Sequence, residues 1–355
     1  MSELGFIKRV KQRFAWEFWP TYMFYIPLFP LYLYYAIKSG SFTYFVATNP
    51  AIKNGGDSTE SKFDTLKILP KSLIPKSILV SGNISNKEVL HRLNEQYLEF
   101  PLIIKPDIGY RGLLVKKLRN KTDLFKYLTK YTGIAFIIQE FIDYPNECGI
   151  LYLRYPNKKT GRITSITLKS YLHIKGDGTS NISELIDKNE HVKRYESAYK
   201  DLIINQLDYI PKKGETFILN EIGNHCKGAS FIDGNHLISK KLTNTFDNLS
   251  HSIEGVYFGR FDIKYNSFRE LEEGKYFKII ELNGIISEPT HIYDTKNSSY
   301  FIALKSLAKH WKYMYQISKM NHQDYGVEYA KILPELKGLF ALRPYNKNIK
   351  KLNEL

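Results

Sequence analysis

Apolar and polar positions along the chain recur with two periods, one helical and one of strands. Over Ser85–Leu98, Val89, Leu90, Leu93 and Leu98 recur at helical spacing behind Ser85, an N-capping residue type, and predict a helix. PLIIK (101–105) and LLVKKL (113–118) read as strands, KTDLFKYLTKYT (121–132) as a helix with Thr122 as N-cap, and AFIIQEFI (135–142) as a strand. Upstream, LPKSLIPKSILV (69–80) holds two proline-marked turns and a short strand, and TNPAIKNGGDSTESK (48–62) is a polar, turn-rich loop. This order describes an α+β unit.

From Asn146 the strands lengthen. CGILYLRYP (148–156) and RITSITLKSYL (162–172) flank NKKTG and predict a hairpin. KGDGTSNISELI (175–186) is a turn running into a helix, with Asn181 and Glu184 spaced as a capping pair. ETFILNEIG (215–223), GVYFGRFDIKY (255–265) and KYFKIIELNG (275–284) are three more strands, and residues 300–320 form an amphipathic helix. The tail from Asn346 is basic and expected to be loose.

The stretch from Phe18 to Ile37 carries no charge, and its length would suffice for a spanning helix. Pro20, Pro27 and Pro30 argue against a straight one, and its tyrosines suit the headgroup region of a bilayer. Lys8, Arg9, Lys11 and Arg13 lie just before it. An interfacial or re-entrant segment meeting anionic lipid is favoured over a buried aromatic element covering the main domain. No small-residue cleavage site follows the run, so a cleaved signal peptide is not expected.

Composition narrows the class. With 355 residues, 43% hydrophobic and 25% charged, the chain is an ordinary folded protein with room for more than one packed unit. A net charge of +15 favours an acidic partner such as a nucleotide, a nucleic acid or an anionic membrane. The basic residues are spread along the chain with no stacking motif, which speaks against nucleic acid. Two cysteines, Cys148 and Cys226, supply neither a disulfide framework nor a zinc site, and a reducing, cytoplasmic setting fits.

Candidate chemistry lies at strand ends. Arg260 and Asp262 are two apart in GRFDIKY, and Glu281 and Asn283 are two apart in IIELNG, so each pair shares one strand face. If the strands pair antiparallel, two acids and an amide oxygen converge; hard oxygen ligands without His or Cys suit magnesium shared with phosphate. The ordinary reading of each doublet is a surface salt bridge. Lys105 closes an apolar strand, a costly place for an ammonium unless an anion meets it. Behind it, Gly109 and Gly112 bracket Tyr110 and Arg111, a loop able to bring backbone N–H groups close to phosphate. No GxxxxGK[ST] motif is present. Gln139 and Glu140 turn the next strand polar at its end.

In that order the pieces resemble the ATP-grasp superfamily, over about Phe100 to Asp294. Within it the chain is most similar to the D-alanine–D-alanine ligase and cyanophycin synthetase branches, whose metal motifs GRFDI and IIELNG match and whose GDG segment resembles KGDGTSNISELI. The resemblance implies an ATP-grasp fold, two α+β subdomains gripping ATP, with an aromatic N-terminal extension. On that basis residues 1–40 are the aromatic, basic segment, 41–95 a small preceding region, 96–310 the ATP-grasp domain, and 311–355 a C-terminal helix and basic tail.

It also implies roles. Lys105 and, more loosely, Lys169 contact phosphates; Gly109, Tyr110, Arg111 and Gly112 form the mobile loop; Gln139, Glu140 and Phe141 line the adenine pocket; Glu147 holds ribose. Asp262, Glu281 and Asn283 bind two magnesium ions, and Arg260 stabilises the transition state. Asn224, His225, Lys227, Ser230, His291 and Tyr293 fall where the family faces substrate. The implied activity is ATP-dependent carboxylate–amine ligation with release of ADP, on small substrates or a membrane-associated amphiphile, by a protein at the inner face of the membrane, with a homodimer as the implied assembly. A small-molecule kinase and a nucleotide-sensing membrane adaptor are the alternatives. GIISEPTHIYD follows the metal motif where D-alanine ligases carry a Pro-Gly-Met type segment, and the N-terminal region is smaller than theirs, so the dipeptide activity does not carry over.

Overall fold

The structure, a computed structural model, describes Trp16, Trp19, and residues 21–109 and 112–354. The elements follow one another as α1 (Thr21–Tyr25), α2 (Phe29–Ser39), α3 (Lys62–Lys67), β1 (Ser77–Val80), α4 (Asn86–Glu95), β2 (Leu102–Pro106), β3 (Lys116–Leu118), α5 (Lys121–Lys130), β4 (Phe136–Glu140), β5 (Asn146–Leu153), β6 (Arg162–Ser170) and β7 (Leu172–Lys175). Then come α6 (Ile182–Asp187), α7 (Glu190–Lys193), α8 (Glu196–Ile203), β8 (Thr216–Asn220), β9 (Ser230–Asp233), α9 (Lys240–His251), β10 (Phe258–Tyr265), α10 (Phe268–Glu272), β11 (Phe277–Asn283), α11 (Tyr300–Tyr325) and α12 (Ile332–Glu354).

Two antiparallel sheets frame the molecule. One has strand order β1-β4-β2-β3 and the other β11-β10-β5-β6-β9; β7 and β8 pair separately. The first sheet packs Leu102, Ile104, Phe136 and Ile138 against α4 and α5, each of these four side chains fully buried. The second packs Ile150, Ile166, Phe261 and Ile279 against α9, where Leu242 and Phe246 face inward. The predicted hairpin across NKKTG forms, with Ile150 opposite Ile166. The capping pair forms in full: Asn181 accepts from the Glu184 N–H, and Glu184 accepts from the Asn181 N–H.

The structure departs from the expected elements at several places. Leu113–Val115 lies outside β3, and Leu114 has φ +55°, a turn conformation that no extended strand tolerates. α5 is capped by Asn120, whose side chain accepts from the Asp123 N–H; Thr122 lies inside the helix. The ETFILNEIG strand pairs with β7, not with the main sheet. The segment that holds the candidate substrate residues Asn224, His225, Lys227 and Ser230 runs into β9, an edge strand on β6.

The tail from Asn346 is helical rather than loose. Tyr345, Ile349 and Leu352 are spaced along one helix face and pack into the first sheet's core, with Ile349 fully buried. The helix also ties down the glycine loop: the Tyr345 hydroxyl donates to the Ile108 carbonyl (2.8 Å), and Asn353 Oδ1 accepts from the Leu114 N–H (3.0 Å).

The uncharged N-terminal run is broken into α1, a short turn holding Pro27, and α2. One face packs on α11: Phe24 and Leu28 join Ala303 and Leu307, and Tyr35 stacks on Tyr315 with ring centroids 4.4 Å apart. Tyr22, Ile26, Phe29 and Ile37 point to solvent. Among the described residues no helix is long and apolar enough to cross a membrane. Lys8, Arg9, Lys11 and Arg13 lie outside the described residues. Both cysteines are free thiols, Cys148 buried and Cys226 exposed.

Candidate active site

The two large sheets face each other across a cavity of about 330 Å3. Lys105, at the end of β2, reaches from one sheet to the other: its ammonium donates to Gln139 Oε1 (3.2 Å) on β4 and to the Ile280 carbonyl (2.9 Å) on β11. On the far wall β10 and β11 pair antiparallel. Their register sets Asp262 opposite Glu281 and Arg260 opposite Asn283, so strand alternation turns all four side chains to one face. On the next strands Glu147 of β5 sits opposite Lys169 of β6.

The charges are interleaved. Arg260 Nε donates to Asp262 Oδ1 at 2.9 Å, and Lys169 Nζ lies 2.8 Å from Glu147 Oε1 and 3.6 Å from Asp262 Oδ2. Glu147 also accepts from the Tyr171 hydroxyl at 3.0 Å. Lys62, at the start of α3, donates to Glu281. Burial pushes the Lys105 ammonium down to about 8, against the pull of Glu281. Burial works to raise the Asp262 carboxyl, but Arg260 and Lys169 hold it below the ordinary carboxylate range. Glu281 is likewise held low, burial being outweighed by Lys62 and Lys105.

Two amide nitrogens in this wall, Gln139 Nε2 and Asn283 Nδ2, are buried with no partner. Such groups are costly unless something enters to meet them. Asp262 and Glu281 are ionised and opposed, and exchanging the Asn283 amide atoms would present its oxygen. Among the described residues no three His, Cys, Asp or Glu side chains cluster. Two carboxylates and one amide oxygen fit an ion that keeps waters and phosphate oxygens as its other ligands, as magnesium does.

Of the residues singled out from sequence, the cavity wall gathers Lys105, Gly109, Gly112, Gln139, Glu140, Phe141, Glu147, Lys169, Asn224, Arg260, Asp262, Glu281 and Asn283. Tyr110 and Arg111 lie outside the described residues. His225, Lys227, Ser230 and His291 stand outside this lining. The His225 ring packs on Phe231, Lys227 Nζ reaches Asn353 Oδ1 at 3.5 Å, Ser230 sits in β9, and His291 Nδ1 is 2.7 Å from Ser165 Oγ.

Sequence reasoning passed over Lys62, the end of a loop by its composition. Its signal was Ser61 before it, which accepts from the Asp64 N–H and starts α3. Gly223 also went unremarked: a Cβ there would sit 2.5 Å from Glu147 Oε1.

Residues 59–219 match the family model of the RimK-like ATP-grasp domain. Among solved structures the chain is similar to a D-Ala:D-Ser ligase, VanG, of Enterococcus faecalis (16% identity, 74% of this chain and 64% of that one, TM-score 0.41). It is also similar to a D-alanine–D-alanine ligase of Bacillus anthracis (13% identity, 77% of this chain and 70% of that one, TM-score 0.42). A third is a bifunctional glutathione synthetase of Pasteurella multocida (17% identity, 65% of this chain, TM-score 0.36), of which the chain spans only 33%. No curated protein sequence matches the chain. Over the matched residues the fold is that of an ATP-grasp domain, and the chain as a whole is of mixed helices and sheets.

Proposed function

We propose that this protein is an ATP-dependent ligase that joins a carboxylate to an amine through an acyl phosphate and releases ADP and phosphate. The observation that supports this reading is one of placement: Lys105 on one sheet and Arg260, Asp262, Glu281 and Asn283 on the other line a single cavity. Nucleotide phosphates would lie between the sheets, with Lys105, Lys62 and the glycine loop meeting their charge, and adenine at the β4 exit by Gln139, Glu140 and Phe141. Glu147 would hold the ribose and Lys169 stand beside the phosphates. Asp262, Glu281 and Asn283 would hold magnesium, which when bound draws charge from the phosphoryl oxygens.

A substrate carboxylate oxygen attacks the γ-phosphorus; the bond to the β-phosphate oxygen breaks and ADP leaves. An amine nitrogen then attacks the acyl carbon. The C–N bond forms, the bond to the phosphoryl oxygen breaks, phosphate leaves and the nitrogen gives up a proton. Arg260, with its guanidinium anchored by Asp262, meets the oxyanion as it forms. Lys62 neutralises Glu281 and would have a second anion to turn to when phosphate arrives.

The test is release of ADP and free phosphate with pooled carboxylates and amines. Release that requires both pools supports ligation, whereas phosphate transfer to one compound without free phosphate would point to a kinase. Peripheral docking on anionic membrane is favoured by the outward Tyr22, Ile26, Phe29 and Ile37 of α1 and α2 and the net charge of +15. Full-length protein is expected to float with anionic vesicles and not with neutral ones; protein that stays at the bottom with both would end that part of the reading.

A further inference from the structure

A second cavity, of about 720 Å3, adjoins the first and shares Ser58, Gly109, Ile286 and Ser287 with it. It opens where the chain leaves the metal motif, since the N–H groups of Ile285 and Ile286 donate to the carbonyls of Gly55 and Gly56. Its walls come from α1, α2, α11 and α12, and include Tyr25, Tyr32, Phe45 and Trp311. Its volume suits a molecule of drug size.

Two carboxylates on this wall stand out. Asp57 is 8% exposed and Glu335 4% exposed, and each keeps a buried oxygen, Asp57 Oδ2 and Glu335 Oε1, without a hydrogen-bond partner. Among the described residues no lysine or arginine forms an ion pair with either. Over residues 332–340, the first turns of α12, Glu335 is the buried side chain, and Ile332, Leu333, Leu336, Leu339 and Phe340 around it are exposed. A buried carboxylate with no ion-pair partner is costly unless a cation enters to meet it.

We propose that this cavity binds an organic cation, an amino group on an apolar or aromatic body, with the ammonium held between Asp57 and Glu335 and the body against the aromatic wall. A dedicated metal is the poorer fit. Only two carboxylates converge, and the rest of the wall is ring faces, which attract organic cations. The other carboxylate of the wall, Glu288, already accepts from the hydroxyls of Tyr25 and Tyr293. Arg343 is exposed and stacked over Phe340 at 4.7 Å, and Lys53, whose charge opposes the rise of the Glu335 carboxyl, makes no ion pair with it, so neither closes the pair off. Naming this cation as the amine acceptor rests on the ligase reading; that the cavity binds it does not.

The experiment is calorimetry on the full-length protein without nucleotide, comparing tyramine with its uncharged counterpart 4-ethylphenol. Tyramine is expected to bind about tenfold or more tighter, the size of a charge-assisted hydrogen bond. In Asp57→Asn and, separately, Glu335→Gln that preference is expected to collapse towards one, while retained 4-ethylphenol binding reports an intact cavity. Equal affinities in the native protein, an undiminished preference in both variants, or no saturable binding of either compound would overturn the proposal. So would displacement of tyramine by magnesium chloride alone at matched ionic strength. Failure here with substrate-dependent ADP release intact sinks the cation site and spares the ligase; the converse result does the reverse.

Discussion

Arg260 owes its position to a neighbour two residues along the same strand. Its Nε donates to Asp262 Oδ1, and Asp262 keeps Lys169 as a second cation at 3.6 Å. On the proposed reading, Arg260→Ala leaves the carboxylate ionised and removes the group that would meet the oxyanion. Turnover should fall about a hundredfold or more, in line with loss of one such donor, while nucleotide affinity measured by calorimetry changes only severalfold; equal losses in both would place Arg260 in binding instead. Glu335 offers a pH test. Burial, and then Asp57 beside it, raise its carboxyl to about 7, against the opposing charge of Lys53; Glu288, His310 and Arg343 stand on the same cavity wall. Folding thus favours the protonated form, so stability should decline as pH rises from the ordinary glutamate range to about 7 and then level off. Denaturant midpoints should show this slope in the native protein and a flatter one in Glu335→Gln.

Among the elements, α12 shows how far a pattern read from charge can mislead. Its lysines suggested a loose tail, yet Tyr345, Ile349 and Leu352 form an apolar stripe on the opposite face, and the stripe decides. The helix reaches the glycine loop through Asn353, whose side chain accepts from Leu114 N–H and from Lys227. In Asn353→Ala the Leu114 amide should exchange faster by hydrogen–deuterium exchange, with β5 amides unchanged; an unaltered Leu114 rate would show that the side chain does not restrain the loop. β10 and β11 are the contrary case. Their doublets were legible because strand period places residues two apart on one face, and the short NSFRELEEGKY connection leaves antiparallel pairing as the simple outcome.

At the scale of the molecule, ATP would bridge two sheets that Lys105 joins at this point through the Ile280 carbonyl. A ligand that binds only the folded, closed arrangement adds its binding energy to stability, about 2.7 kcal/mol at a hundred times its dissociation constant. Magnesium with a non-hydrolysable ATP analogue should raise the melting temperature of the native protein, and Lys105→Ala should lose most of that shift; an identical shift in the variant would remove Lys105 from the site. Outward apolar residues of α1 and α2 and of α12 lie on elements that also wall the second cavity.

By itself the sequence determined the local periods, the Ser85 and Asn181 caps, the strand-borne doublets and the lysine near the end of β2, because these depend on neighbours within a few residues. Only the tertiary structure decided that Lys62 meets Glu281, that Gly223 makes room for Glu147, and that Glu335 turns inward to Asp57. Each of these joins pieces of chain far apart, and facing side chains across such a gap are set by how whole elements pack, which no local pattern encodes.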